Sequence, residues 1–292
     1  MTDRYCLSIA ALLILVPFFL PAQAPQLRVS DNGRYLAYAD GRPFFYLGDT
    51  AWELFHRLDR EEATRYLENR AGKGFTVIQA VVLAQLGGLT VPNPNGDRPL
   101  TDGDPTRPND AYFQHVDFIV DQAAELGLVI GMLPCWGSYW SDFNGGEVLF
   151  TPESARGYGE FLGRRYRDKP IIWILGGDEN INDEEERAII EAMAAGLRAG
   201  DGGRHLITFH PRGPGRSSDY FHEAEWLDFN MSQSSHGAHD HDNGLYADHD
   251  YRLTPPKPTL DGEPRYELIP AGCYFAGANR LDLFDDYDSR QA

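Results

Sequence analysis

The stretch that most constrains this chain is residues 170–180, which read PIIWILGGDEN. Its first half is a short, continuous apolar run, and such a run is typical of a strand buried on both faces of a parallel sheet. Two glycines then let the backbone turn, and Asp178, Glu179 and Asn180 follow at once. In barrels of alternating strands and helices, functional groups lie at the carboxyl ends of the strands. The stretch therefore predicts that Asp178 is a catalytic carboxylic acid.

The order of apolar strand, polar strand end and helix repeats along the chain, which is the pattern of a (β/α)8 TIM barrel in the α/β class. Seven strands are visible and the eighth is missing, so we expect an incomplete barrel and, as a hypothesis, a truncated reading frame or fragment. A doubly wound open sheet is the alternative, but no G-x-G-x-x-G follows the first strand. The predicted strands cover 43–47, 75–83, 128–133, 171–175, 206–209, 226–231 and 258–260, and the main predicted helices cover 59–73, 110–126, 152–166 and 183–199.

Residues 1–24 have the layout of a secretory signal peptide. Arg4 precedes an apolar run over 7–20, and the sequence Ala-Gln-Ala that ends at Ala24 fits the cleavage pattern. We therefore expect export to the periplasm or the cell exterior, and no membrane association once the signal is removed. A β-hairpin segment over 25–43 and a truncated catalytic barrel over 44–292 complete the predicted organisation.

The composition restricts the class of partner. A hydrophobic fraction of 42% and an aromatic fraction of 12% are typical of a globular protein. The formal net charge of −18 disfavours nucleic acid and anionic membrane surfaces, because their phosphates would be repelled. No cofactor motif stands out, so we predict no cofactor. Cys135 and Cys273 would remain after signal cleavage, and we expect them to be unbridged thiols.

A second carboxylate, Glu263, follows the predicted strand over 258–260 and lies beside a glycine, as Asp178 does. Strands four and seven of a barrel lie across its mouth from each other, so the two side chains can face one cleft. Retaining glycosidases need two carboxyl groups about 5–5.5 Å apart, and inverting ones need a wider gap. The pair therefore predicts glycoside hydrolysis. Glu179 is the rival to Asp178, and only one of these neighbours should face the cleft.

Other side chains at predicted strand ends suit a carbohydrate partner. Aromatic faces can pack against sugar rings, although packing at the barrel rim explains any one of them equally well. Polar side chains at the same places can bind sugar hydroxyls, with backbone capping as the simpler interpretation. The predicted substrate-binding residues are Asp49, Trp52, Gln79, Trp136, Tyr139, Glu179, His210 and Gln233.

Residues 236–242 contain three histidines and two aspartates, which are common zinc ligands. Their spacing matches no metal-binding motif, so we favour a solvated polar loop near the cleft and predict no metal. A metal-dependent hydrolase that uses this cluster remains an alternative.

Three separated segments, 48–83, 173–180 (WILGGDEN) and 260–267 (LDGEPRYE), resemble the apiosidase-like domain of glycoside hydrolase family 140. The resemblance implies a TIM-barrel retaining glycosidase that acts on apiose-linked side chains of plant pectin. It also implies an Asp acid/base, matched by Asp178, and a Glu nucleophile, matched by Glu263. Members of that family usually complete the barrel and continue into a C-terminal β-domain. A non-catalytic or degenerate carbohydrate-binding barrel is the second hypothesis.

Overall fold

The computed structural model describes residues 26–143, 148–273 and 279–285. The predicted signal peptide lies outside the described residues. The strands are β1 (Leu27–Val29), β2 (Leu36–Tyr38), β3 (Gly48–Thr50), β4 (Val77–Leu83), β5 (Val129–Cys135), β6 (Ile171–Gly176), β7 (Ile207–His210), β8 (Gly215–Arg216), β9 (Asn230–Gln233) and β10 (Thr259–Asp261). The helices are α1 (Leu54–Arg57), α2 (Arg60–Gly72), α3 (Asp110–Glu125), α4 (Pro152–Tyr166), α5 (Glu184–Asp201), α6 (Ser218–Phe221) and α7 (Gly244–Tyr251).

Five parallel strands in the order β3-β4-β5-β6-β7 form a curled sheet, which is half of a barrel. β9 pairs in parallel with β10 and antiparallel with the short β8. The two sheets adjoin where the amide of Asp228 donates to the carbonyl of Ile207 and the hydroxyl of Thr208 donates to that of Phe229. The fold is therefore a partial TIM-barrel-like α/β fold, as predicted. No barrel strand follows β10 in the described part of the chain.

The barrel strands are continuously apolar because both of their faces are buried. Along β4, Val77 and Val81 face the barrel interior, whereas Ile78 and Val82 pack beneath the surrounding helices. The hairpin of β1 and β2 closes the amino-terminal end of the barrel with Leu27 and Leu36. Every side chain of β4 is thus removed from water, which is why its sequence lacks the alternation of a half-exposed strand.

The predicted helices are found within two residues of their predicted bounds. Asp59 and Thr151 accept hydrogen bonds from the first turns of α2 and α4, and Pro152 occupies the first position of α4. Asp183 caps α5, whose first turn is acidic. Cys135 and Cys273 are free thiols, as predicted. None of the described helices combines the length and apolarity needed to cross a membrane.

Two predicted strands are wrong in position. The first barrel strand is β3, not 43–47, because the amide of Phe44 pairs with the carbonyl of Leu36 and so continues the amino-terminal hairpin. The sixth begins at Asn230, not at Trp226, because the amide of Leu227 closes a turn onto the carbonyl of Ala224. Phe44 of the first segment and Leu227 of the second are buried in the core, whereas Phe45 and Leu47 are exposed. An apolar run alone does not distinguish a turn from a strand.

Candidate active site

The turn after β6 is built from three successive residues with positive φ: Gly176 at 93°, Gly177 at 85° and Asp178 at 63°. A Cβ on Gly176 would lie 2.2 Å from the carbonyl oxygen of His210, so only glycine allows this approach to β7. The turn brings the backbone N–H of Asp178 to Nδ1 of His210, at 3.2 Å. The end of β6 is therefore fixed against the end of β7.

Glu263 follows β10, is buried, and is surrounded by groups that can donate hydrogen bonds. The hydroxyl of Tyr266 donates to Oε1 over 2.8 Å, and Nε2 of Gln233 donates to Oε2 over 3.0 Å. Nε2 of His210 lies 3.1 Å from Oε2, and Nε2 of His236 lies 3.5 Å from Oε1. Such surroundings favour an ionised carboxylate.

The two carboxyl groups have pKa values shifted in opposite directions. Burial raises the pKa of Asp178, and the charge of Glu263 raises it further. Burial alone would raise the pKa of Glu263, but the interactions with His210 and His236 and the hydrogen bond from Tyr266 outweigh it and lower this pKa to about 2. One group is thus held toward the acid form and the other toward the anion, which is the division of roles that acid–base chemistry requires.

Gln233 and His210 lie between the two carboxyl groups. The amide of Gln233 that donates to Glu263 also interacts with the side chain of Asp178 and counteracts the rise of its pKa. His210 contacts the backbone of Asp178 and the carboxylate of Glu263. The structure therefore brings Asp178, Glu263, His210 and Gln233 into one cluster.

Aromatic rings cover one side of this cluster. Trp52 makes edge-to-face contacts with Trp136 at 5.5 Å and with the imidazole of His210 at 5.6 Å between ring centroids. Trp136 is buried in the barrel interior, and Trp52 is partly exposed. The hydroxyl of Tyr139 donates to the carbonyl of Ala84 over 2.8 Å, which ties this ring to the loop after β4.

Three predicted substrate-binding residues are held away from the cluster. Asp49 pairs in register with Ile78, faces the helix layer, and accepts hydrogen bonds from Tyr66 and Arg70 of α2. Gln79 lies in the middle of β4, not at its end, and donates to the carbonyl of Gly262 over 2.8 Å across the barrel interior.

Glu179 is the third predicted substrate-binding residue that is held away from the cluster. Its buried side chain passes beside Gly137, and its Oε2 lies 3.5 Å from the guanidinium of Arg212. That only one of Asp178 and Glu179 faces the cleft stays a prediction.

The histidines of 236–242 do not converge on one point. His239 lies against Asp282, and His241 lies against Tyr246. His236 is buried and stacks on Tyr266 with ring centroids 4.7 Å apart, so the interpretation of a wholly solvated loop is wrong for this residue. No group of metal-ligating side chains that could hold an ion is found in the described ranges.

Sequence reasoning missed Tyr266 and His236 as members of the Glu263 site. Tyr266 is only three residues beyond Glu263, within the segment LDGEPRYE, and that proximity was the one available signal. His236 reaches Glu263 because its Nδ1 donates to the carbonyl of Pro264 over 2.9 Å. That contact depends on the path of the loop after β9, which carries no periodic pattern.

Comparisons with known proteins identify the family of this chain. The sequence model of the "Apiosidase-like, catalytic domain" family matches residues 30–292. A solved structure described as a glycoside hydrolase is 38% identical, with a TM-score of 0.80, and the match covers 94% of this chain and 63% of that one. A glycoside hydrolase family 5 structure from Bacteroides vulgatus is 37% identical, with a TM-score of 0.79 and coverages of 91% and 59%.

A glycoside hydrolase family 5 mannosidase from Rhizomucor miehei is only 11% identical, with a TM-score of 0.65 and coverages of 92% and 81%, and it supports the fold alone. No curated protein matches the chain. The chain spans about three-fifths of the length of the first two solved structures. The family match, together with these two similar structures, shows that the chain belongs to the apiosidase-like catalytic domain family.

Proposed function

We propose that this protein is an exported, retaining glycosidase of the glycoside hydrolase family 140 type, acting on apiose-linked side chains of plant pectin. The observation that carries the proposal is that Asp178 and Glu263, at the ends of β6 and β10, both contact Gln233 and His210. The pKa values of the two carboxyl groups are shifted in opposite directions, which supports the assignment of an acid and a nucleophile. The family match supports the class of reaction. The sugar, the linkage and the export rest on the sequence resemblance and the amino-terminal pattern.

In this mechanism, ionised Glu263 attacks the anomeric carbon while protonated Asp178 gives its proton to the departing glycosidic oxygen. The bond to that oxygen breaks, and an ester between Glu263 and the sugar forms. Ionised Asp178 then removes a proton from water, whose oxygen attacks the anomeric carbon and releases Glu263. Each carboxyl group returns to its starting state, and the anomeric configuration is retained.

The test is sugar release from an apiose-containing pectic oligosaccharide by the parent, by Glu263→Gln, and by Glu68→Gln as a control. Glu68 is an exposed carboxylate on α2. We expect release by the parent and the control, none by Glu263→Gln, and nearly unchanged sugar binding by that variant. Full activity of Glu263→Gln would refute the assignment of the nucleophile.

The stereochemistry of the released sugar tests the retaining step separately. Proton NMR of the first product should show the anomeric configuration of the substrate before mutarotation. An inverted product would mean that water, and not Glu263, attacks the anomeric carbon.

A further inference from the structure

His210 ends β7 with its side chain wholly buried, and both of its ring nitrogens face groups of the proposed active site. The backbone N–H of Asp178 donates to Nδ1 over 3.2 Å. Nε2 lies 3.1 Å from Oε2 of Glu263. Nε2 is in ion-pair range of this carboxylate without being aligned in a hydrogen bond, and the whole ring is buried, so neither nitrogen is open to a sugar hydroxyl. A role other than substrate binding therefore has to be considered for this residue.

The two contacts dictate where the imidazole carries its proton. An N–H that donates to Nδ1 requires a lone pair on that nitrogen. The ring proton must then lie on Nε2, where it faces an ionised carboxylate. The opposite tautomer would place two N–H groups against each other at Nδ1 and a lone pair against the Glu263 carboxylate at Nε2.

We propose that His210 is a positioning residue, held in its neutral Nε2–H tautomer by the backbone N–H of Asp178. In this tautomer the imidazole couples the turn that carries Asp178 to the carboxylate of Glu263. The catalytic consequence of this coupling rests on the proposed function, whereas the tautomer itself does not. The imidazole is a rigid ring, so a displacement of the Asp178 turn is transmitted to the hydrogen bonding of Glu263.

The groups around His210 have opposing effects on its protonation. Complete burial lowers the pKa of His210, while the carboxylates of Glu263, Asp178 and Asp261 raise it, with a net upward direction. The ring of Trp52, which also contacts the imidazole, has no ionisable group. Protonation would put an N–H on Nδ1 directly against the N–H of Asp178. This backbone contact opposes the imidazolium, so we infer that the neutral ring persists at neutral pH.

The backbone of the turn is shaped for this contact. Left-handed φ is strained for a residue other than glycine, and Asp178 adopts it at 63°. Gly176 and His210 are register partners between β6 and β7, and the glycine lacks the side chain that would hold the strands apart. The strained turn therefore has an identifiable role, which is to aim the Asp178 amide at His210.

Two substitutions separate the contacts of the imidazole. The amide of His210→Gln can place an N–H near the position of Nε2 and so keep a donor to Glu263. His210→Asn can place an oxygen near the position of Nδ1, which keeps the acceptor for Asp178 but loses the donor to Glu263. If His210 acts through Glu263, we expect the asparagine variant to shift the acidic limb of the kcat/KM profile upward by about one pH unit, the scale of one lost hydrogen bond to a charged group. The glutamine variant should keep the parent's limb.

The tautomer is measured directly by long-range nitrogen–proton NMR on the full chain labelled with 15N-histidine. The signals of His210 are identified as those lost in His210→Gln. We expect an unprotonated Nδ1 and a protonated Nε2 from about pH 6 to 8, where an unrestrained histidine would titrate. An imidazolium or an Nδ1–H ring in this range would overturn the proposal, as would equal shifts of the acidic limb in both variants.

The same experiment distinguishes failure of this inference from failure of the proposed function. If the parent shows the Nε2–H tautomer and releases no sugar, the positioning of His210 by Asp178 is supported while the glycosidase assignment fails. If sugar is released and the ring is an imidazolium, the glycosidase assignment stands and the positioning role is refuted.

Discussion

Tyr266 and Glu263 are joined by a hydrogen bond of 2.8 Å from the phenolic hydroxyl to Oε1 of the carboxylate. Burial, followed by the charge of Glu263, raises the pKa of Tyr266 well above its ordinary value, so the hydroxyl keeps its proton and remains a donor. This bond is one of the interactions that lower the pKa of Glu263 to about 2.

We expect Tyr266→Phe to raise the pKa of Glu263, because the ionised form loses a donor. A hydrogen bond to a charged group contributes about 1.5–3 kcal/mol, so the acidic limb of kcat/KM should move upward by about one to two pH units. The pH dependence of sugar release measures this shift. Tyr251→Phe, on an exposed tyrosine, serves as the control. An unmoved acidic limb in Tyr266→Phe would mean that this hydroxyl does not tune the nucleophile.

The parts of the fold that follow from local chemistry were predictable. Helix α4 has the predicted bounds because Thr151 and Pro152 form a starting signal that does not depend on the rest of the chain. Asp178 and Glu263 were predicted as a pair because barrel topology brings strand ends together, whatever the loops do.

The parts that depend on which way a side chain faces were not predictable. β3 is only three residues long, so its alternation could not assign Asp49 to a face, and pairing with Ile78 turned it toward α2. His236 was likewise assigned to a solvated loop. It is buried because a contact with Pro264, distant in sequence, folds the loop after β9 onto Glu263.

The charge of Glu263 should be detectable in the titration of Asp178. Glu263→Gln removes a nearby negative charge, so we expect the pKa of Asp178 to fall. It should remain above the ordinary aspartate value because burial, the larger cause of the rise, is unchanged. Carboxyl-carbon NMR of 13C-aspartate-labelled protein measures the pKa, with Asp178→Asn used to identify the signal and Glu68→Gln as the control. A pKa that stays constant or rises in Glu263→Gln would show that the two groups are not electrostatically coupled.

Another buried carboxylate, that of Asp201, lies at the opposite end of the barrel. Asp201, the last residue of α5, accepts hydrogen bonds from the indole N–H of Trp173 at 3.0 Å and the amide of Gly203 at 2.7 Å. Nδ1 of His205 lies 2.9 Å from its carboxylate. Burial would raise the pKa of Asp201, but these partners outweigh it and hold this pKa below the ordinary aspartate value.

Asp201→Asn should lower the free energy of unfolding by about 3 kcal/mol near neutral pH, because the new amide N–H groups face donors inside the protein. The native pKa is lowered, so the stabilisation is fully present above the ordinary aspartate pKa and is lost as pH falls through the native value. Denaturant unfolding measures the difference in unfolding free energy between the parent and Asp201→Asn. This difference should be full at pH 7 and should become smaller as the pH falls below about 4. Asp168→Asn, on an exposed carboxylate paired with Arg204 at the same end, should change stability by less than about 1 kcal/mol. If the difference in unfolding free energy between the parent and Asp201→Asn became larger at acidic pH, the lowered pKa of Asp201 would not be the source of the stabilisation.

Glycines set the close approach of α4 and α5, two helices that pack side by side on the barrel. A Cβ on Gly196 of α5 would lie 2.1 Å from the carbonyl oxygen of Arg156, and one on Gly163 of α4 would lie 2.5 Å from that of Leu197. These neighbours are backbone atoms, which cannot move without separating the helices. We therefore expect Gly196→Ala to lower the free energy of unfolding by about 3 kcal/mol.

Gly157 of α4 is the matched control for this prediction, because it lies in the same helix pair and a Cβ there would meet no atom within 4 Å. Gly157→Ala should be neutral or stabilising by up to about 1 kcal/mol, the helix-propensity difference between the two residues. Denaturant unfolding of both variants measures the contrast. Since helix propensity favours alanine at both positions, only the packing of α4 against α5 can make their effects opposite in sign. Equal effects would show that the two helices can separate enough to accept a methyl group.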